Sequence, residues 1–287
     1  MNRKFLVVML FMTTSILYSF EEGFIWGLRA NFNGSLTLPS ISQEDLDKLS
    51  AAYMKGAVGY TMDGEAELGY LFGAERWFGK EKSDFSKFSG ISLYFSIGVG
   101  TGFSGMVAGN TLQVGTNSAV SAQMFMNVNY KPVISFGIGS KLYLLESRMA
   151  IGLQLGIKTI VDTSPEYLAY SDMDKTFSDL GVKLPEMSEI VVTDFMKKNM
   201  NPVMFSIKLM LEYNQPINDR VEVVLGIYTR FNIYKPKYIT MPDTLLGLIN
   251  TAKKALNAAE FNPQTPLNSY YMNSLDFGIT LGLQFRG

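Results

Sequence analysis

The sequence predicts an all-β protein, an antiparallel up-and-down transmembrane β-barrel of about eight strands, with ten as the alternative. Three observations carry this reading. The end of the chain alternates without a fault, with Leu275, Phe277, Ile279, Leu281, Leu283 and Phe285 on one face and Asp276, Gly278, Thr280, Gly282 and Gln284 on the other. The same two-residue period recurs along most of the chain, in stretches of roughly ten residues or more, about the length a tilted strand needs to cross a bilayer. The chain also begins with a short apolar segment behind a basic start. A strand with one side toward lipid must be paired on both edges, because hydrocarbon satisfies no open edge, so the sheet has to close on itself.

The N-terminus supplies the address. Met1-Asn2-Arg3-Lys4 is basic, residues 5 to 17 are apolar, and 15 to 19 offer small residues before Phe20-Glu21-Glu22. This pattern reads as a signal peptide over 1–19, leaving 20–287 as one outer-membrane barrel domain. An apolar core of about a dozen residues is short for a helical span of roughly 20. The chain has no Cys for a lipid anchor or a disulfide; export without either fits a bacterial outer-membrane location.

The strands follow in order. Phe24, Trp26, Leu28, Ala30 and Phe32 alternate with Ile25, Gly27, Arg29, Asn31 and Asn33. Met62, Gly64, Ala66, Leu68, Tyr70 and Phe72 oppose Asp63, Glu65, Glu67, Gly69 and Leu71. Ile91 to Phe103 follow the same rule, with Ser92, Tyr94, Ser96, Gly98, Gly100 and Gly102 on the polar side. Later strands place Leu153 and Leu155 against Gln154 and Lys158, Ile207 and Leu209 against Lys208 and Glu212, and Val223 and Leu225 against Glu222 and Arg230. Between 122 and 144 the apolar residues stay on even numbers across Lys131-Pro132, which suits either two strands or one bent strand. An even strand count and the short connections at 145–148 and 214–220 favour one bent strand. The connections 163–201 and 235–269 are then long and extracellular. A further strand within 105–130 or 74–89 would raise the count to ten.

Composition agrees. The sequence is 47% hydrophobic with a mean hydropathy of +0.10, as expected when half of each strand faces inward. Its 20 Phe and 15 Tyr suit interfacial girdles, and its 26 Gly suit a tightly curved wall. A net charge of -1 gives no case for nucleic acid. The long loops predict short helices behind Asp243, Ser188 and Ser42. Their apolar residues Leu245, Leu248, Ile249, Leu256, Ile190 and Phe195 suggest either a rim cap or an apolar gate that gathers hydrophobic solutes.

The chemistry is restrictive. The sequence contains no His and no Cys, which removes the histidine base, the thiol nucleophile and the commonest soft or nitrogen metal ligands. No enzyme, cofactor or metal site is expected. The inward carboxylates Asp63, Glu65, Glu67, Glu212, Glu222 and Asp276 and the inward bases Arg29, Lys141, Lys158, Lys208 and Arg230 nearly match in charge. An interior of about eight strands is just wide enough for side chains to fill, so these residues predict a buried ion-pair network in the lumen. Gly98-Val99-Gly100-Thr101-Gly102 lies inside an alternating strand and reads as barrel glycine rather than a phosphate loop.

With its signal segment, its alternation over most of 23–285 and its closing strand, the chain resembles the small bacterial outer-membrane barrels of the OmpA-transmembrane, OmpX and OmpW type, with a spirochaete, treponeme-like texture. It departs from their usual end in following the terminal aromatic Phe285 with Arg286-Gly287. The OmpW resemblance implies passage of small hydrophobic molecules. Two roles remain open. One is a porin-like barrel for passive uptake or diffusion of small hydrophobic or amphipathic solutes. The other is a non-conducting structural barrel that binds an extracellular or host partner through its surface-exposed loops. Either implies outer-membrane lipid and the barrel-insertion machinery as partners.

Overall fold

The computed structural model describes residues 22–48, 53–74, 88–114, 118–145, 147–161, 163–171, 190–191, 203–218, 220–235 and 271–287. In order these form β1 (Gly23–Ser40), α1 (Gln43–Lys48), β2 (Tyr53–Gly73), β3 (Phe88–Val114), β4 (Ser118–Leu144), β5 (Met149–Ile160), β6 (Thr163–Ser171), β7 (Ile190–Val191), β8 (Val203–Asn218), β9 (Val221–Ile233) and β10 (Tyr271–Arg286).

Eight strands close a ring. β1 pairs with β2 and β10, and the ladder continues antiparallel from β10 through β9, β8, β5, β4 and β3 back to β2. No edge is left at membrane depth, as a lipid-embedded sheet requires. The first and last strands form the closing seam, in register from Ile25↔Arg286 to Ser40↔Tyr271.

The segment 122–144 lies in one strand, β4, which pairs with β3 from end to end. Between Gly100↔Val133 and Gly102↔Tyr130, two β4 residues, Lys131 and Pro132, oppose the single residue Thr101. A bulge is where a sheet tolerates a residue that lacks a ladder donor. β4 also changes partner here: β5 lies beside it up to Val133↔Ile160, and β6 beyond it from Tyr130↔Thr163. β6 therefore prolongs the lane of β5, and β3 and β4 run on through 105–130 as the same two strands. These segments add height and leave the ring at eight, which sets the ten-strand alternative aside.

The wall is two-faced. On β1 every odd residue from Ile25 to Thr37 is buried, and the even Phe24, Leu28, Phe32 and Leu36 face out. Phe95, Leu153, Leu209 and Ile279 stand in the same outward belt, each about half exposed. Aromatic rings mark its borders. Trp26 stacks on Phe285 with centroids 3.9 Å apart, Phe24 meets Tyr70 edge-on at 5.3 Å, and Tyr60 contacts Phe103 at 5.8 Å near the other border. Ten residues of β2 separate Tyr60 from Tyr70; at about 3.3 Å each and a tilt of about 40° they span about 25 Å, the height of the apolar band in such barrels.

The connections 145–148 and 219–220, the start of β1 and the end of β10 lie at one end, here the turn end, and the strands joined through 115–117 and through 234–270 meet at the other, the loop end. At the β4–β5 turn, Leu145 and Ser147 take φ of 51° and 65°, a costly conformation for non-glycine residues. Ser147 is held from two sides: its N–H donates to Ser89 Oγ at 2.7 Å and its carbonyl accepts from Asn214 Nδ2 at 3.0 Å. At the loop end α1 is a single short helix, with Leu46 N donating to Ser42 O at 2.9 Å. Ile190 and Val191, expected on a helix behind Ser188, pair instead as strand β7 with Tyr167 and Glu166. Both are β-branched and lie beside a ladder already formed by β6, so sheet extension overrides the helical spacing. The helix behind Asp243, the gate residues Leu245, Leu248, Ile249, Leu256 and Phe195, and the signal segment lie outside the described residues.

Candidate functional site

Inward positions recur at every second residue on strands that curve around a common axis, so polar side chains from distant parts of the sequence meet inside the ring. They stack in four levels.

At the turn end, Arg286 lies 2.8 Å from Glu222, and Gln284 Nε2 donates to the same carboxylate at 3.1 Å. The Gln284 side-chain carbonyl accepts from Arg29 at 3.0 Å and from the Tyr143 hydroxyl at 3.4 Å. Ile25, Leu71, Tyr143 and Ala150 form a buried apolar layer at this level.

The next level is a four-membered charge ring. Arg29 on β1 lies 3.1 Å from Glu67 on β2 and 3.6 Å from Glu212 on β8; Lys141 on β4 lies 2.7 Å from Glu67 and 3.0 Å from Glu212. Each cation thus touches both carboxylates. Lys141 also sits 4.9 Å from the Tyr94 ring centroid, so its ammonium has a π face as well as two anions.

Above it, Glu65 binds Lys208 at 3.0 Å and accepts from Gln154 at 2.7 Å and Asn31 at 3.1 Å. Asn31 also donates to Asp63 at 2.6 Å, and Asp63 is held by Arg230 at 3.2 Å. Tyr94, Met210 and Tyr228 form a buried cluster across this level. Glycine makes room for the rings: a Cβ on Gly139 would stand 2.5 Å from Tyr94, and one on Gly278 2.5 Å from Tyr228.

The fourth level, toward the loop end, is looser. Asp276 accepts from Ser35 at 2.7 Å, Asn232 at 2.7 Å and Ser274 at 3.3 Å. Lys158 approaches Asp276 only to 3.8 Å and donates no hydrogen bond among the described residues. Beside it lies a cavity of about 50 Å³, lined by hydroxyls of Ser35, Thr61, Ser104, Ser135 and Ser274, by Asn232 and Asp276, and by Val133, Met204 and Met272.

All eleven charged residues singled out from the sequence thus point into the lumen. The structure joins Arg29, Lys141, Glu67 and Glu212 in one ring, Glu65 with Lys208, and Asp63 with Arg230; it leaves Lys158 and Asp276 loosely apposed. Among the described residues Arg286 is the sixth lumen cation, against six carboxylates, and it is not one of the residues expected in the network. The signal was available, since 286 continues the even-numbered face of Asp276 and Gln284, but its place beside the chain end hid it. The bridging amides Asn31, Gln154 and Gln284 and the filler Tyr143 were likewise unassigned, because neutral side chains on an inward face give no sign of which charge they will serve.

A closed antiparallel ring with an apolar exterior, aromatic borders and a charge-paired polar interior defines a transmembrane β-barrel. No family model and no curated protein matches the chain. Among solved structures it is similar to Neisserial surface protein A, at 8% identity and a TM-score of 0.34, covering 91% of this chain and 97% of that one. It is similar also to the outer membrane protein OprG from Pseudomonas aeruginosa, at 7% identity, a TM-score of 0.28 and 92% and 96% coverage. A third is the outer membrane protease OmpT from Escherichia coli, at 7% identity, a TM-score of 0.31 and 92% and 97% coverage. The class assignment rests on the closed ladder and the two-faced wall, not on these distant likenesses.

Proposed function

We propose that this protein is a non-enzymatic bacterial outer-membrane barrel whose lumen is closed to ions and whose contacts with partners are made at its loop end. The observation that supports this best is the Arg29, Glu67, Lys141 and Glu212 ring, which joins β1, β2, β4 and β8 across the lumen. A permeating ion would have to break contacts between charges that are already desolvated, where separation is costly. Tyr94, Met210 and Tyr228 lie buried above the ring and the apolar layer lies below it. Porin-like conduction is therefore the less supported reading. Uptake of small solutes is a second reading, favoured by the cavity beside Lys158, which offers a solute a place above the closed section.

Conductance of the refolded full chain in planar bilayers tests the closed lumen. The expected outcome is no discrete opening in the wild type, and steady ohmic conductance would overturn it. The orientation that goes with this reading puts 163–201 and 235–269 outside the cell and the β4–β5 turn in the periplasm. On intact cells, a tag within 163–201 should be accessible and a tag at Ser147 should not.

A further inference from the structure

Among the described residues, Lys158 is the lumen cation that stands farthest from its nearest carboxylate. Its side chain is 9% exposed, so the ammonium is largely withdrawn from water. Nevertheless it makes no hydrogen bond among the described residues, and its one ion contact is 3.8 Å long. Asp276 holds it only loosely, and that carboxylate makes its shorter contacts with Ser35, Ser274 and Asn232. An ammonium carries three donors, and burying them unused is expensive. The residue lines the cavity of about 50 Å³, a space on the order of three to four waters by volume.

We propose that this cavity is a binding site for a small organic monocarboxylate, with the Lys158 ammonium as its charged anchor. The anion's oxygens would fill the lysine's vacant donors and take further bonds from the surrounding hydroxyls. A single negative charge is favoured because Asp63 and Asp276 also line the cavity, and a second charge on the ligand would face their repulsion. The carbon end fits the apolar side formed by Val133, Met204 and Met272. The volume suits about four non-hydrogen atoms, the size of acetate. The site takes its floor from the closed lumen proposed above, and conductance tests that reading separately from binding.

Methionine-methyl NMR of the refolded full chain, titrated with sodium acetate, tests the site. Met204 and Met272 line the cavity, while Met210 lies in the deeper tyrosine cluster and serves as an internal control. The expected result is a saturable shift of the Met204 and Met272 methyls with Met210 unmoved, lost in Lys158→Met. It should be absent with acetamide, which has the shape without the charge, and with sodium chloride or phosphate at matched ionic strength. Should Lys158→Met not refold, Val133→Phe fills the cavity and keeps the ammonium, and it too should abolish the shift. Absence of a saturable shift in the wild type, its persistence in either variant, or an equal response to chloride would overturn the proposal.

Discussion

Lys141 and Lys158 stand on inward positions of adjacent strands, both beneath the rim of the same barrel, yet they live in opposite circumstances. Lys141 touches two carboxylates at 2.7 and 3.0 Å and faces an aromatic ring. Lys158 has one carboxylate at 3.8 Å, already bonded elsewhere. The difference arises from what the curvature of the sheet carries across the lumen to each level, and it teaches that an inward charge is a structural element only where register delivers its partners. The lower lumen is a strut, and the upper lumen holds Lys158 only loosely.

The sharpest way to break this comparison is to remove the same group from both levels. Lys141→Met would leave Glu67 and Glu212 with Arg29 alone, and should cost about 3 to 5 kcal/mol in the denaturant unfolding of the refolded barrel. A loss below about 1 kcal/mol would mean that the ring is not a strut. Combining Lys141→Met with Glu212→Gln should cost less than the sum of the single changes by roughly 0.5 to 3 kcal/mol, which a double-mutant cycle reads directly.

The wall offers the next largest effect. Leu153→Arg places a cation in the outward belt and should cost about 2 to 4 kcal/mol near the midplane, seen as loss of heat-modifiable gel mobility at lower temperature. Its inward neighbour is less permissive than position alone suggests. Gln154 donates to Glu65 and Ser96, each at 2.7 Å, so Gln154→Glu would remove both bonds and set a second carboxylate beside Glu65. A destabilisation of about 1 to 3 kcal/mol is expected by the same measurement. The smallest effect belongs to the upper level: Lys158→Met should change stability by less than about 1 kcal/mol or raise it, since it removes a buried, poorly satisfied charge. If Lys158→Met were as damaging as Lys141→Met, the two levels would be alike and the contrast would fall.

Much of the architecture was legible because the membrane enforces it. Most outward positions are apolar, so Phe277, Ile279 and Leu281 announce a strand without reference to any other part of the chain. The single passage through Pro132 was readable from parity and loop length. The bulge that accommodates it was not, because it depends on Thr101 in another strand. The inward charges were visible as a set, but their pairing was not. Glu65 meets Lys208 from 143 positions away through the stagger of the ring, and no local pattern encodes that distance. Ile190 shows the converse error, in which helical spacing was outweighed by a ladder that existed only in three dimensions.

The charges inside the ring also have a distribution by strand. β2 brings three carboxylates, Asp63, Glu65 and Glu67, while β1, β4 and β5 bring one cation each, Arg29, Lys141 and Lys158; β8, β9 and β10 each carry one of either sign. The β1–β2 pair alone therefore holds an excess of two negative charges, and the β4–β5 pair an equal positive excess. Neither strand pair is charge-balanced by itself. Electroneutrality arrives only when the two arcs face each other, so the protein's own electrostatics favour an assembly path in which the cylinder shuts in one event rather than hairpin by hairpin.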